Sequence, residues 1–134
     1  MLLIDTSVWI DFFNDPESPS AKFIDEYLSA SRPACINAIV EMEILQGIRD
    51  EKSYVQTKIF LKDFQYYDTV PQSYFDLAID IYRSCRKKGI TIRKSTDCLI
   101  AANCIIEGLQ IAHRDRDFSA IAKAFPRLTS IAIL

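Results

Sequence analysis

Five acidic residues stand where a carboxylate could do chemistry. Asp5 directly follows the apolar run "LLI", and Glu43 lies in "EMEILQG". Asp97 lies near the start of "STDCLIAANCIIEG", and Asp115 and Asp117 lie in "HRDRDF". Carboxylates gathered in one cleft repel one another. Two unit charges about 4 Å apart cost about 4 kcal/mol at an effective dielectric near 20. Either some take up protons or a cation sits between them. A hard divalent cation meets this need with oxygen ligands, and Mg²⁺ keeps several waters and requires only one or two direct carboxylates. With one histidine and no C-x-x-C pair in the chain, the donor set favours Mg²⁺ or Mn²⁺ over Zn²⁺.

Each acid also has a plainer use. Asp5 can cap a following helix. Thr6 and Ser7 can cap too, or orient the Asp5 carboxylate. Glu41 and Glu43 are two apart on a helix, so only one of them can face a given site. Asp97 suits the first turn of a helix, where the dipole favours an acid. Asp115 and Asp117 can pair with the neighbouring Arg114 and Arg116. The argument for chemistry is their joint placement.

The elements that must position them follow from hydrophobic periodicity. Residues 2–4 read as a buried strand and about 7–13 as a short helix, with "NDPESPS" as a break. The run 21–31 has one apolar helix face, through Phe23, Ile24, Tyr27 and Leu28. "ACIN" reads as a second strand, followed by a helix that ends at Gly47. Residues 52–64 read as a helix and "YYDTV" as a strand. A long helix then runs from Pro71 to Lys88. "STDCLIAANCIIEG" is a helix that Ser95 or Thr96 can cap and Gly108 closes. "LQIA" is a strand, "HRDRD" a loop, "FSAIAKAF" a helix and "TSIAIL" a last strand. Short apolar strands alternating with helices predict an α/β sandwich around a mostly parallel sheet. Sites in such sheets form beyond the carboxyl ends of the strands, which is where Asp5, Glu43 and Asp115 fall.

The chain has 134 residues, 49% apolar and 25% charged, with a formal net charge of −2. That is enough for one domain, 1–134, with one core. No global charge announces a nucleic-acid or membrane partner. No run is long and apolar enough for a membrane span, and the start of the chain lacks the basic region of a signal peptide. Cys35, Cys85, Cys98 and Cys104 sit among apolar neighbours, as buried free thiols in a reducing cytoplasm would.

The acidic motifs resemble the signature of PIN-domain ribonucleases, in particular VapC-type toxins of toxin–antitoxin pairs, and the likeness covers essentially the whole chain. "LLIDTSVWIDFF" resembles the opening strand with its metal-binding aspartate. "EILQG" resembles the second acidic motif and selects Glu43 over Glu41. "TDCLIAANCIIEG" resembles the third, carried by Asp97. "RDRDF" resembles the fourth, where Asp115 matches the usual ligand and Asp117 an accessory acid. His113 departs from the Thr or Ser that many members carry there. The resemblance implies a PIN-like three-layer sandwich with a mostly parallel sheet of about four to five strands flanked by helices. It implies metal-dependent hydrolysis of RNA phosphodiester bonds, with one or two Mg²⁺ or Mn²⁺ ions held by Asp5, Glu43, Asp97 and Asp115, and Asp117 assisting. It also implies a cognate VapB-type antitoxin, a homodimer, and RNA, with transfer RNA a common target.

RNA would meet the basic stretch "RSCRKKGITIRKSTD", with Arg83, Arg86, Lys87, Lys88, Arg93 and Lys94, or Arg114 and Arg116 beside the fourth motif. The plainer reading of the first group is a solvated helix end. "FLKDFQYY" and Trp9 could supply exposed apolar anchors for a partner, or belong to the core. The competing function is a non-catalytic PIN-like module that binds RNA or a partner. A phosphotransfer protein of the receiver or dehalogenase kind fits less well. The second dehalogenase aspartate is replaced by Ser7, and although Asp68 is close to the phosphoacceptor position of a receiver, the acid pairing a receiver carries after strand one is missing.

Overall fold

The computed structural model describes residues 1–67 and 71–134. Asp68, and the part of the "YYDTV" strand that falls on 68–70, lie outside the described residues. Five strands form one parallel sheet in the order β3-β2-β1-β4-β5. They are β1 (Leu2–Ile4), β2 (Ala34–Asn37), β3 (Gln65–Tyr67), β4 (Gln110–His113) and β5 (Thr129–Ala132). The helices among the described residues are α1 (Thr6–Asn14), α2 (Pro19–Ser29), α3 (Ala38–Gln46), α4 (Glu51–Leu61), α5 (Gln72–Lys87), α6 (Ser95–Glu107) and α7 (Arg116–Ala124).

The central strand explains the architecture. Leu2, Leu3 and Ile4 are all fully buried, as a strand covered on both faces must be. Helices α1–α4 pack among themselves, and α5–α7 do likewise. The result is the expected α/β sandwich. The chain builds β1, β2 and β3 outward in one direction, then returns through α5 and α6 to place β4 on the other side of β1. The order therefore reverses at β1, and the crevice beyond its carboxyl end is the natural place for a site.

Several boundaries differ from the periodicity reading. Helix α2 begins at Pro19, inside the expected break, because the Ser18 hydroxyl caps Ala21 N–H. Helix α4 covers Glu51–Leu61 rather than 52–64, with Asp50 capping Ser53. Lys94, not Ser95 or Thr96, occupies the cap position of α6, and no side chain caps it. Strand β4 includes His113, and α7 begins at Arg116, so "HRDRD" is a strand end and a helix start rather than a loop. Gly108 closes α6 in a left-handed conformation, φ 68°, and turns the chain directly into β4.

Trp9 is fully buried, so of its two readings it takes the one that belongs to the core. Its ring meets Phe12, Phe13, Phe60 and Phe64 at centroid distances of 5.4–5.9 Å. This aromatic cluster fastens α1 to α4 and the turn after it. The four cysteines are buried free thiols, as expected.

Candidate active site

Asp5 extends the sheet by one residue: its N–H donates to the Ala112 carbonyl at 2.9 Å. It then caps α1, accepting from Ser7 N–H at 3.0 Å and Ser7 Oγ–H at 2.5 Å. The plainer use and the chemical one therefore coexist. Ser7 Oγ also accepts from Arg114 N–H at 3.0 Å, which ties the end of β1 to the end of β4. Glu43, one turn from the end of α3, accepts from Thr6 Oγ1–H at 3.0 Å. Thr6 and Ser7 thus orient one acid each. Glu41 turns away and accepts from the Tyr66 hydroxyl at 3.4 Å.

Asp115 caps α7, accepting Asp117 N–H on Oδ1 at 2.9 Å. The two acids pair with Arg93, not with Arg114 or Arg116. Arg93 Nη2 donates to Asp115 Oδ1 at 2.7 Å, and Arg93 Nε to Asp117 Oδ2 at 3.1 Å. The Arg93 backbone N–H also donates to Asp117 Oδ2, at 3.2 Å. Arg114 instead pairs with Asp11, a residue that sequence reasoning left out. Its signal was spacing: Ser7 and Asp11 are four apart and share the face of α1 that meets Arg114.

Asp97 is the most constrained acid. Its residue is 2% exposed, and its Oδ2 has no hydrogen-bond partner. Burial pushes its carboxyl up to about 7, Lys94 opposes this, and the negative charges of Asp115, Asp5 and Glu43 add to it. Asp115, Asp5 and Glu43 are thus all near enough for their charges to act on Asp97. One ligand oxygen each from Asp97, Asp115 and Asp117 lie within 4.8 Å of one another. Burial likewise raises Asp5, against the lowering effect of its Ser7 and Thr6 hydrogen bonds.

These residues fit a hard divalent cation. The donors are oxygens, the unpartnered Asp97 Oδ2 is a buried acceptor, and the ligand group found among the described residues, Asp97, Asp115 and Asp117, contains no thiol or imidazole. His113 is buried against Phe118 and accepts Asp115 N–H on Nδ1 at 3.2 Å. Burial lowers its pKa, in keeping with the neutral ring that this accepted bond requires, and the bond fixes the Asp115 backbone.

The basic residues divide. Arg93, Arg114 and Arg116 line an open cleft of about 460 Å³ with Ser7 and Asp115. Lys94 Nζ stands 4.0 Å from Glu43 Oε2 and 3.9 Å from Asp97 Oδ1. Arg83 and Arg86 line a different, apolar groove between α5 and α6, and Lys88 donates to the Ala124 carbonyl at 3.3 Å. Lys87 is exposed in the last turn of α5. This helix end is not brought onto the acids.

The profile of the PIN domain family matches residues 2–124. The chain belongs to the PIN-domain family. It is 38% identical over 125 residues, 92% of each chain, to a VapC ribonuclease of Mycobacterium bovis. The same values hold for ribonuclease VapC11 of Mycobacterium tuberculosis. The PIN fold is shared with the VapBC2 structure from Rickettsia felis, bound to a DNA fragment from its promoter, at a TM-score of 0.77 and 18% identity. That match covers 98% of this chain and 97% of the other. A toxin–antitoxin complex from Klebsiella pneumoniae gives a TM-score of 0.73 at 21% identity, covering 96% of each chain.

Proposed function

We propose that this PIN domain is a divalent-metal-dependent endoribonuclease, the toxin of a pair closed by a VapB-type antitoxin. The observation that carries the reading is the buried, unpartnered Asp97 Oδ2, on which the charges of Asp5 after β1, Asp115 after β4 and Glu43 on α3 all act. Its 38% identity to curated VapC ribonucleases over 92% of the chain supports the reaction class.

Asp5, Glu43, Asp97 and Asp115 would hold Mg²⁺ or Mn²⁺, one or two ions, with Asp117 assisting. Bound there, the ion supplies a water of lowered pKa and polarises a phosphoryl oxygen. The chain's own residues position and screen. Ser7 and Thr6 fix the rotamers of Asp5 and Glu43, and His113 holds the Asp115 backbone. Arg93, Arg114 and Arg116 line the cleft and draw the RNA backbone toward the acids.

The antitoxin surface we assign is the groove of about 450 Å³ between α1, α3 and α4, lined by Ile10, Phe13, Ile44 and Ile48 among others. Glu43 lines the same groove, so an occupant would reach the acids directly. The apolar α5–α6 groove, with Phe75 and Ile79 exposed, suits a second copy of the chain in a homodimer. Transfer RNA as substrate and the cytoplasm as compartment complete the proposal. No helix among the described residues is long and apolar enough to cross a membrane.

The test is incubation of antitoxin-free protein with labelled structured RNAs in Mg²⁺, Mn²⁺ or EDTA, beside Asp5→Asn. Metal-dependent cleavage that disappears in the variant supports the reading. RNA binding without cleavage in either metal would favour the non-catalytic module.

A further inference from the structure

Arg93 and Lys94 are consecutive, and both reach the acids. Lys94 is extended, φ −127° and ψ 125°, so the two side chains leave the backbone on opposite sides. Arg93 covers Asp115 and Asp117, while Lys94 stands between Glu43 and Asp97. Among the described residues, the ion pairs to these acids come from these two cations. We propose that Arg93 and Lys94 are built-in counter-cations of the cleft, each standing on a carboxylate pair that a divalent ion would claim, so that ion loading displaces them and frees them for the RNA backbone. The proposal rests on the metal-dependent reading above and adds a device that regulates loading.

Three features suit this role. Both side chains are about half exposed, at 54% and 55%, so release into water meets little packing resistance. The anchor stays behind: Ile92 is buried, and the Arg93 backbone N–H holds Asp117 whether or not the guanidinium does. Finally, Arg93 Nη2 occupies Asp115 Oδ1 at 2.7 Å, and a second cation on that oxygen would meet it at close range. The guanidinium cannot relieve the conflict by losing its proton; an ion on Oδ1 is accommodated by its moving away. Arg114 and Arg116 do not share this position, since Arg114 is held on Asp11.

The experiment measures Mn²⁺ binding to antitoxin-free protein by electron paramagnetic resonance of the free ion. It compares wild type, Lys94→Gln, Arg93→Gln and the double variant. The expected gain in Mn²⁺ affinity is about two- to fivefold for Lys94→Gln, whose contacts are long and made by a half-exposed side chain. About tenfold is expected for Arg93→Gln, which loses a paired contact. The double variant should exceed both. Unchanged or weaker affinity in the variants overturns the proposal. No Mn²⁺ binding by wild type or variants overturns the metal reading and this proposal with it. Should Arg93→Gln fail to fold, Lys94→Gln decides alone. A second readout is binding of single-stranded DNA, which lacks the 2′-hydroxyl, in EDTA and in Mn²⁺. Mn²⁺ should strengthen it in wild type and do so less in the double variant. An equal gain in both would overturn the handover to the nucleic acid.

Discussion

At the residue scale, the site is a set of carboxylates kept close against their own repulsion. Asp97 bears most of it, being buried, without a partner on Oδ2 and pushed up to about 7. Asp97→Asn should therefore raise the melting temperature of the metal-free protein by about 2–6 °C, while removing the stabilisation that Mn²⁺ gives wild type. Differential scanning fluorimetry with EDTA and Mn²⁺ measures both. The pH dependence follows from the same burial. Asp5 and Asp97 bind their protons more tightly in the folded chain than in the unfolded one. The contribution of Asp97 to stability is fully present below the ordinary value of 3.8 and is lost as pH rises through about 7, and that of Asp5 falls in the same direction. Urea unfolding in EDTA should show stability falling across that window, with Mn²⁺ flattening the slope. A flat profile in EDTA would contradict the assigned burial. The acids themselves were legible in the sequence, because Asp5 and Asp115 follow strands, Asp97 and Asp117 fall in a first helical turn, and Glu43 lies on the helix after β2. Their partners were less so. Arg93 precedes Asp117 by more than twenty positions, and nothing local distinguishes it from Arg114 or Arg116 as the one that pairs.

At the element scale, the alternation of apolar strands and helices was enough to predict the sandwich and its parallel sheet. Errors came where capping decides a boundary. Ser18 starts α2 before the apolar periodicity begins, and Asp115 starts α7 within what reads as a charged loop. Trp9 was ambiguous because an aromatic within an apolar run can serve the core or a partner surface. Only packing against Phe60 and Phe64, distant in sequence, settles it. Gly108 was legible for a physical reason: a helix running straight into a strand needs a left-handed residue. A Cβ there would meet no atom within 4 Å, so Gly108→Ala should cost about 1–2 kcal/mol through backbone strain alone. Chemical denaturation measures this. A neutral result would mean that the α6–β4 turn relaxes to another conformation.

At the scale of the whole molecule, the net charge of −2 cannot attract RNA, so binding must be local. The cleft lined by Arg93, Arg114 and Arg116, with Lys94 beside it, is the one basic surface adjoining the acids among the described residues. If four cations meet phosphates, log affinity for single-stranded RNA should fall with log salt at a slope of about −3. Arg116→Ala should reduce the slope by about 0.7. A salt-independent affinity would remove the arginine cleft from the account. The central claim is that acids from separate parts of the chain form one divalent-cation centre. Crystals of the protein grown with Mn²⁺, with data collected for manganese anomalous scattering, test it most directly. The account predicts an anomalous peak in contact with Asp97 and Asp115. No peak at saturating Mn²⁺, or one held only by acids outside this cleft, would contradict it.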